Sequence, residues 1–277
     1  MSGRIAARFA ALRAEGRGGL IPFMTAYDPD PATSMAMLRG MPGAGADLIE
    51  IGVPFTDPAA DGPTVQRAGQ RALKAGGSLA GALAMVRDFR RDDDETPVVL
   101  MGYLNPILAY GTERFCADAS ASGVDGLIVV DMPPEESDEL TPYSTPCGLD
   151  LIRLVAPTTD DARLPLVLDG AGGFVYHVAI TGITGTRSGA AEDLAQAIPR
   201  VRAHTGLPIA IGFGIRTPEQ AAQAVRVADA AVVGSALIDT LAQSLDAEGR
   251  ARPDTVRRVL DEVRALSEAV REARMAG

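Results

Sequence analysis

Apolar residues fall into short, nearly unbroken runs, separated by longer stretches in which they recur every three or four positions. The runs are Leu20–Thr25, Asp47–Val53, Pro97–Tyr103, Gly126–Asp131, Asp150–Val155, Gly173–Ile180, Leu207–Phe213 and Ala230–Val233. Runs of this kind predict strands buried on both faces, and hence a parallel sheet. Between them, Thr64–Ala75, Leu79–Arg91, Glu113–Ser122, Pro218–Val227 and Thr255–Ala273 carry apolar residues at helical spacing. The opening stretch MSGRIAARFAALRAEG reads as a further short amphipathic helix. Eight strand–helix units in 277 residues predict an α/β fold, a (β/α)8 TIM barrel, for which about 250 residues is typical. The expected organisation is a single domain over residues 1–277 with an extra N-terminal helix, since no Ser-, Gly- or Pro-rich linker divides the chain. A doubly wound sheet is the rival, but it rarely uses eight such evenly spaced parallel strands.

Composition then narrows the chemistry. Aromatics make up 4% and Trp is absent, so Ala, Gly, Leu and Val must fill the core. The net charge of −10 repels phosphate backbones and anionic lipid, so neither nucleic acid nor a membrane surface is an expected partner. An anionic ligand must be held by local donors. Lys74 is the single lysine against 25 arginines, which leaves little room for imine chemistry. The pairs His177/His204 and Cys116/Cys147 lack zinc-ligand spacing, so no metal is expected. Two lone cysteines, no signal-peptide pattern and no apolar run near the ~20 residues of a membrane span predict a soluble cytoplasmic protein. The charged run Arg90–Glu95 reads as a solvated helix-to-strand turn.

Barrel chemistry gathers where the strands end. Glu50 lies inside the second run between Ile49 and Ile51. Burial there raises a carboxyl's pKa toward a range useful for general acid–base work. A structural Glu–Arg pair is the competing explanation. The loop that follows is stiffened by Pro54, Pro58 and Pro63, and brings Asp57 and Asp61 to the same mouth. Asp61 is either a second catalytic carboxylate or a plain cap for the helix near Thr64. Glycine clusters follow three consecutive strands: Gly182 and Gly185, Gly212 and Gly214, and Gly234 before Ser235. A lone glycine there is usually only a turn, but three clusters together predict a phosphate cup of N–H groups, helix dipoles and the Ser235 hydroxyl. Alternation sends Tyr176 and His177 to opposite faces, with His177 read as a satisfied packing residue and His204 as a surface one. Without lysine or metal to stabilise a carbanion, a carbon–carbon lyase needs a leaving group that accepts the electrons after protonation. Phosphosugar isomerisation by a Glu base is the alternative.

The run from Glu50 to Gln66, EIGVPFTDPAADGPTVQ, closely resembles the signature of the tryptophan synthase alpha chain family. Seven further segments match in family order: Ile21–Pro29, Asn105–Ile107, Asp131–Ser137, Ala156–Thr159, Gly182–Gly185, Gly212–Ile215 and Val233–Ala236. The resemblance implies a barrel that cleaves indole-3-glycerol phosphate to indole and glyceraldehyde 3-phosphate with no cofactor of its own. It implies Glu50 as the acid/base at indole C3, Asp61 as acceptor of the indole N–H, and Tyr176 beside the glycerol phosphate. Phe23, Met101, Ile128, Val130 and Phe213, with Ile152 or Arg153 nearby, should border the indole. Gly185, Phe213, Gly214, Gly234 and Ser235 should hold the phosphate. It further implies a pyridoxal-phosphate beta chain as partner in an αββα heterotetramer, faced by Pro54, Asp57, Pro58, Asn105 and the stretch Asp131–Pro134, with Thr184–Glu192 as a lid. The chain departs from many relatives at Ala179–Gly182, Arg187 and Met101–Tyr103. Rival functions are a stand-alone lyase releasing free indole and a non-catalytic phosphate-binding barrel acting as a regulatory partner.

Overall fold

The computed structural model describes residues 3–178, 187–212 and 214–273, without the side chains of 187–193. Nine parallel strands form one sheet: β1 Gly19–Thr25, β2 Ile49–Gly52, β3 Val98–Gly102, β4 Gly126–Val129, β5 Asp150–Leu151, β6 Arg153–Val155, β7 Val175–Val178, β8 Ile209–Gly212 and β9 Ala230–Val233. The hydrogen-bonded order runs β5-β4-β3-β2-β1-β9-β8-β7-β6. Its two ends, β5 and β6, are separated in the chain by Ile152 alone, and the Ile152 N–H still donates to Leu127 O at 2.9 Å. The sheet therefore curls into a nearly closed barrel, and the fifth predicted strand is one path that bonds β4 with its first half and β7 with its second.

The expected helices appear at Pro63–Lys74, Leu79–Phe89, Thr112–Ser122, Pro218–Val225 and Thr255–Glu272. Helices at Pro31–Gly40, Leu104–Tyr110, Arg187–Arg202 and Ser235–Ser244 went unnamed in the pattern. The first of these had a readable start, because Asp30 accepts from Thr33 N–H and Pro31 follows in the first turn. The N-terminal helix Arg4–Ala14 buries Ile5, Phe9 and Leu12 in the cluster that fills the barrel, with Phe9 5.8 Å from the Phe174 ring. It forms the floor of the barrel.

Three aspartates repeat one device at that floor. Asp47, Asp125 and Asp229 directly precede or nearly precede β2, β4 and β9. Their carboxylates accept from the N–H of Leu20 (3.0 Å), Val98 (2.8 Å) and Ile209 (2.7 Å). Each aspartate N–H donates back to the carbonyl of the same residue. Each carboxylate also meets arginine: Asp47 meets Arg17, Asp125 meets Arg4 and Arg90, and Asp229 meets Arg202. Charge-assisted bonds of this kind are worth about 1.5–3 kcal/mol each, so they pin the register of neighbouring strands. The Arg90–Glu95 run is accordingly not a purely solvated turn. Arg90 is half-buried and donates to Gly123 O, Thr96 O and Asp125, while Asp93 caps Thr96.

Candidate active site

At the opposite end, the strands deliver the predicted groups to the lumen. Alternation puts Ile49 and Ile51 against the helices and Glu50 inside, in register with Phe23 on β1 and Val99 on β3. Glu50 is 1% exposed, and its Oε2 has no hydrogen-bond partner among the described residues. Burial alone pushes its carboxyl up to about 8. Among the described residues no arginine pairs with it. Tyr176 enters from β7 across the lumen, where burial and the Glu50 charge hold its phenol above the usual range.

Asp61 does not cap the following helix. That position belongs to Gly62, and the Pro63–Lys74 helix has no side-chain cap. Asp61 instead is half-buried beside a cavity of about 20 Å³ lined by Phe23, Val53, Phe55, Met101 and Tyr103, room for about one water. Burial raises its pKa, and a hydrogen bond from Tyr103 works against that rise. The helix that follows the loop is tied to the end of β1 by an ion pair, Arg71 to the buried Asp28 at 2.7 and 2.8 Å.

Absent side chains shape the lumen as much as present ones. A Cβ at position 212 would stand 2.1 Å from the Tyr176 hydroxyl, and one at position 52 would stand 2.5 Å from the Phe23 ring. Phe23 also borders Gly234, so its ring links the Glu50 region to the end of β9. Gly234 precedes the ten-residue helix Ser235–Ser244, whose N-terminus no side chain caps. The helix begins at the end of β9, where an anion site would draw on its unpaired first-turn N–H groups. Gly214 adopts a left-handed φ of 92° beside it. The nearby Arg216 is engaged with Asp239.

Ile128 is buried in the lumen, with Met101 and Val130 partly buried against the same cluster. Ile152 faces in as well. Arg153 does not: it shares the outer face with Val155 and Val175 and donates to Ser137 Oγ. His177 also lies outside the lumen. It is buried but not satisfied, since neither ring nitrogen has a partner among the described residues, and burial lowers its pKa. Asp57 and Asn105 are exposed, Pro58 and Pro134 are half-exposed, and Pro54 is buried. Gly185 and Phe213 lie outside the described residues, as do Thr184–Thr186 of the predicted lid and the side chains of the rest of it, Arg187 included. Pattern reading missed Tyr103 and Thr25 as site residues. Both stand where strands end, and the strand-end rule could have found them. Among the described residues no three His, Cys, Asp or Glu group as metal ligands, and no helix is long and apolar enough to cross a membrane.

Comparison with known proteins places this geometry. The family model described as tryptophan synthase alpha chain matches residues 9–271. The tryptophan synthase alpha chain of Gluconacetobacter diazotrophicus is 68% identical, over 98% of this chain and 99% of that one. That of Granulibacter bethesdensis is 67% identical, over 98% of both. The crystal structure of tryptophan synthase subunit alpha from Legionella pneumophila superposes with a TM-score of 0.89 at 36% identity, covering 98% of this chain and 99% of that one. The chain belongs to the tryptophan synthase alpha chain family, lyases of tryptophan biosynthesis.

Proposed function

We propose that this chain cleaves indole-3-glycerol phosphate to indole and D-glyceraldehyde 3-phosphate, and that Glu50 and Asp61 carry the chemistry. The observation that carries the reading is a carboxyl group sealed in the lumen with Oε2 unpartnered among the described residues, where burial pushes its pKa up to about 8 and favours the neutral form. Neutral Glu50 donates its proton to indole C3. Positive charge then appears on the ring N–H, which Asp61 accepts as a hydrogen bond. The Glu50 carboxylate next takes the proton of the glycerol hydroxyl on the carbon bonded to C3. That oxygen's electrons form the aldehyde, and the carbon–carbon pair returns to the ring. Glu50 ends with its proton restored, and the protonated indole supplies the electron sink that a lysine or metal supplies elsewhere.

In this reading Tyr176 flanks the glycerol phosphate, while Phe23, Met101, Ile128, Val130 and Phe213 border the ring. Gly185, Phe213, Gly214, Gly234 and Ser235 hold the phosphate. The chain works as one domain in the cytoplasm without a cofactor of its own, and hands indole to a pyridoxal-phosphate beta chain in an αββα assembly. Asp57, Pro58, Asn105 and Pro134 supply the exposed contacts, with buried Pro54 supporting them.

Indole release by the purified chain, alone and with a beta chain, tests the reading. Slow release that the partner accelerates is the expected result. Rapid release alone identifies a stand-alone lyase, and no release under either condition removes the substrate assignment. Gly212→Ala tests the geometry separately. A methyl there displaces Tyr176, and a misplacement near 1 Å costs roughly 10²-fold in turnover. Steady-state rates of a folded G212A that match the parent would remove Tyr176 from the site.

A further inference from the structure

We propose that Tyr103 is a positioning residue for Asp61, its hydroxyl tying both that carboxylate and the preceding peptide to the end of β3. The inference deepens the reading above and rests on Asp61 being the acceptor of the ring N–H.

Tyr103 is 5% exposed, and its hydroxyl accepts from the Ala60 N–H at 2.9 Å. Tyr103 and Asp61 line one cavity, and the phenol stabilises the Asp61 carboxylate. A phenol has one proton to give. With a lone pair engaged by Ala60, that proton is directed at Asp61. The ring is held by Phe55, 5.2 Å away and tilted by 36°. Tyr103 therefore acts from the rigid sheet upon a loop. The Asp61 backbone has its own restraints, since Gln66 Nε2 donates to its carbonyl at 2.9 Å and its N–H donates to Pro58 O at 3.1 Å. These fix the peptide but leave the side chain free to rotate. Tyr103 supplies the missing restraint on the carboxylate.

An electrostatic consequence separates positioning from packing. Burial favours neutral Asp61, whereas the Tyr103 bond favours the ionised form that accepts the ring N–H. Among the described residues no other charged side chain lines the cavity they share, and Asp57, on the same loop, is exposed and bonded to Thr56.

The test uses the full chain with Tyr103→Phe, which keeps the ring against Phe55 and deletes the hydroxyl. The expected result is a kcat lowered about ten- to a hundredfold, the factor for one hydrogen bond to a charged group. KM should change little, because Tyr103 is remote from the phosphate end. The acid limb of the pH–rate profile should move to higher pH. Carbon-13 NMR titration of the Asp61 carboxyl, assigned by difference against Asp61→Asn, should show the same upward move without reference to turnover. Replacing Tyr103 by 3,5-difluorotyrosine, a more acidic phenol of nearly unchanged shape, should move the Asp61 titration down. An Asp61 titration unmoved by either replacement overturns the proposal. Turnover retained by Asp61→Asn would sink the Asp61 reading alone, because the NMR titration decides the tether independently.

Discussion

Glu50→Gln is expected to lower indole release by roughly 10²–10⁴-fold, the span for losing a general acid–base group. The upper end is expected because, in the proposed reaction, the same carboxyl gives a proton in one half and takes one in the other. Gln fills the same volume but does neither. A second outcome guards against misreading a damaged fold. The Glu50 carboxyl ordinarily titrates at 4.5 and is pushed up to about 8 by burial. The folded chain therefore holds this proton more tightly than the unfolded chain. Its favourable contribution is fully present below pH 4.5 and is lost as pH rises through about 8. By pH 9 the folded state of the parent carries a penalty on the order of a few kcal/mol, which Gln does not. Glu50→Gln should thus melt above the parent at pH 9, with the gap closing toward acidic pH. Calorimetry across that range checks the sign, and parental turnover in the variant would end the catalytic assignment. The parent's own rate should fall as pH rises through about 8, where the acid loses its proton.

Asp61→Asn is expected to cost about 10²–10³-fold in kcat, comparable to removing one preorganised charge partner of a transition state. Asn keeps the shape and one acceptor oxygen but withdraws the negative charge that faces the developing indole cation. The parent should lose rate on the acid side as Asp61, its pKa raised by burial, takes up a proton. The Asn variant has nothing to titrate there, so that limb should flatten while the alkaline fall set by Glu50 persists. An unaltered kcat, or an acid limb that survives unchanged in the variant, would return Asp61 to loop structure.

Much of this was legible in the chain, for identifiable reasons. Apolar runs located the barrel strands because parallel strands are buried on both faces and leave a strong pattern. Glu50 stood out because a carboxyl within such a run has few innocent explanations. The interruption at Ile152 was not legible, since a strand that bonds different neighbours with its two halves looks the same in sequence as one that does not. Arg153 beside Ile152 could not be assigned a face until the register with Val175 was seen. The floor clamps escaped because each joins residues about twenty or more positions apart, as Asp47 joins Leu20 at a separation of 27. Tyr103 escaped for a related reason. Its importance depends on a loop one strand earlier, which bonds it across a separation of 43 residues.

The aspartate clamps at the floor bear on how such a protein changes over generations. The bonds that hold the strands in register are made at one end by Asp47, Asp125 and Asp229, while Glu50, Asp61 and the uncapped start of the Ser235–Ser244 helix stand at the other. Randomising the mouth loops should therefore yield a high share of folded variants with altered substrate preference. Randomising the three aspartates should yield few folded variants of any kind. The barrel thus keeps the bonds that set its register apart from the loops that shape its mouth, so new catalysts can be sampled without rebuilding the scaffold.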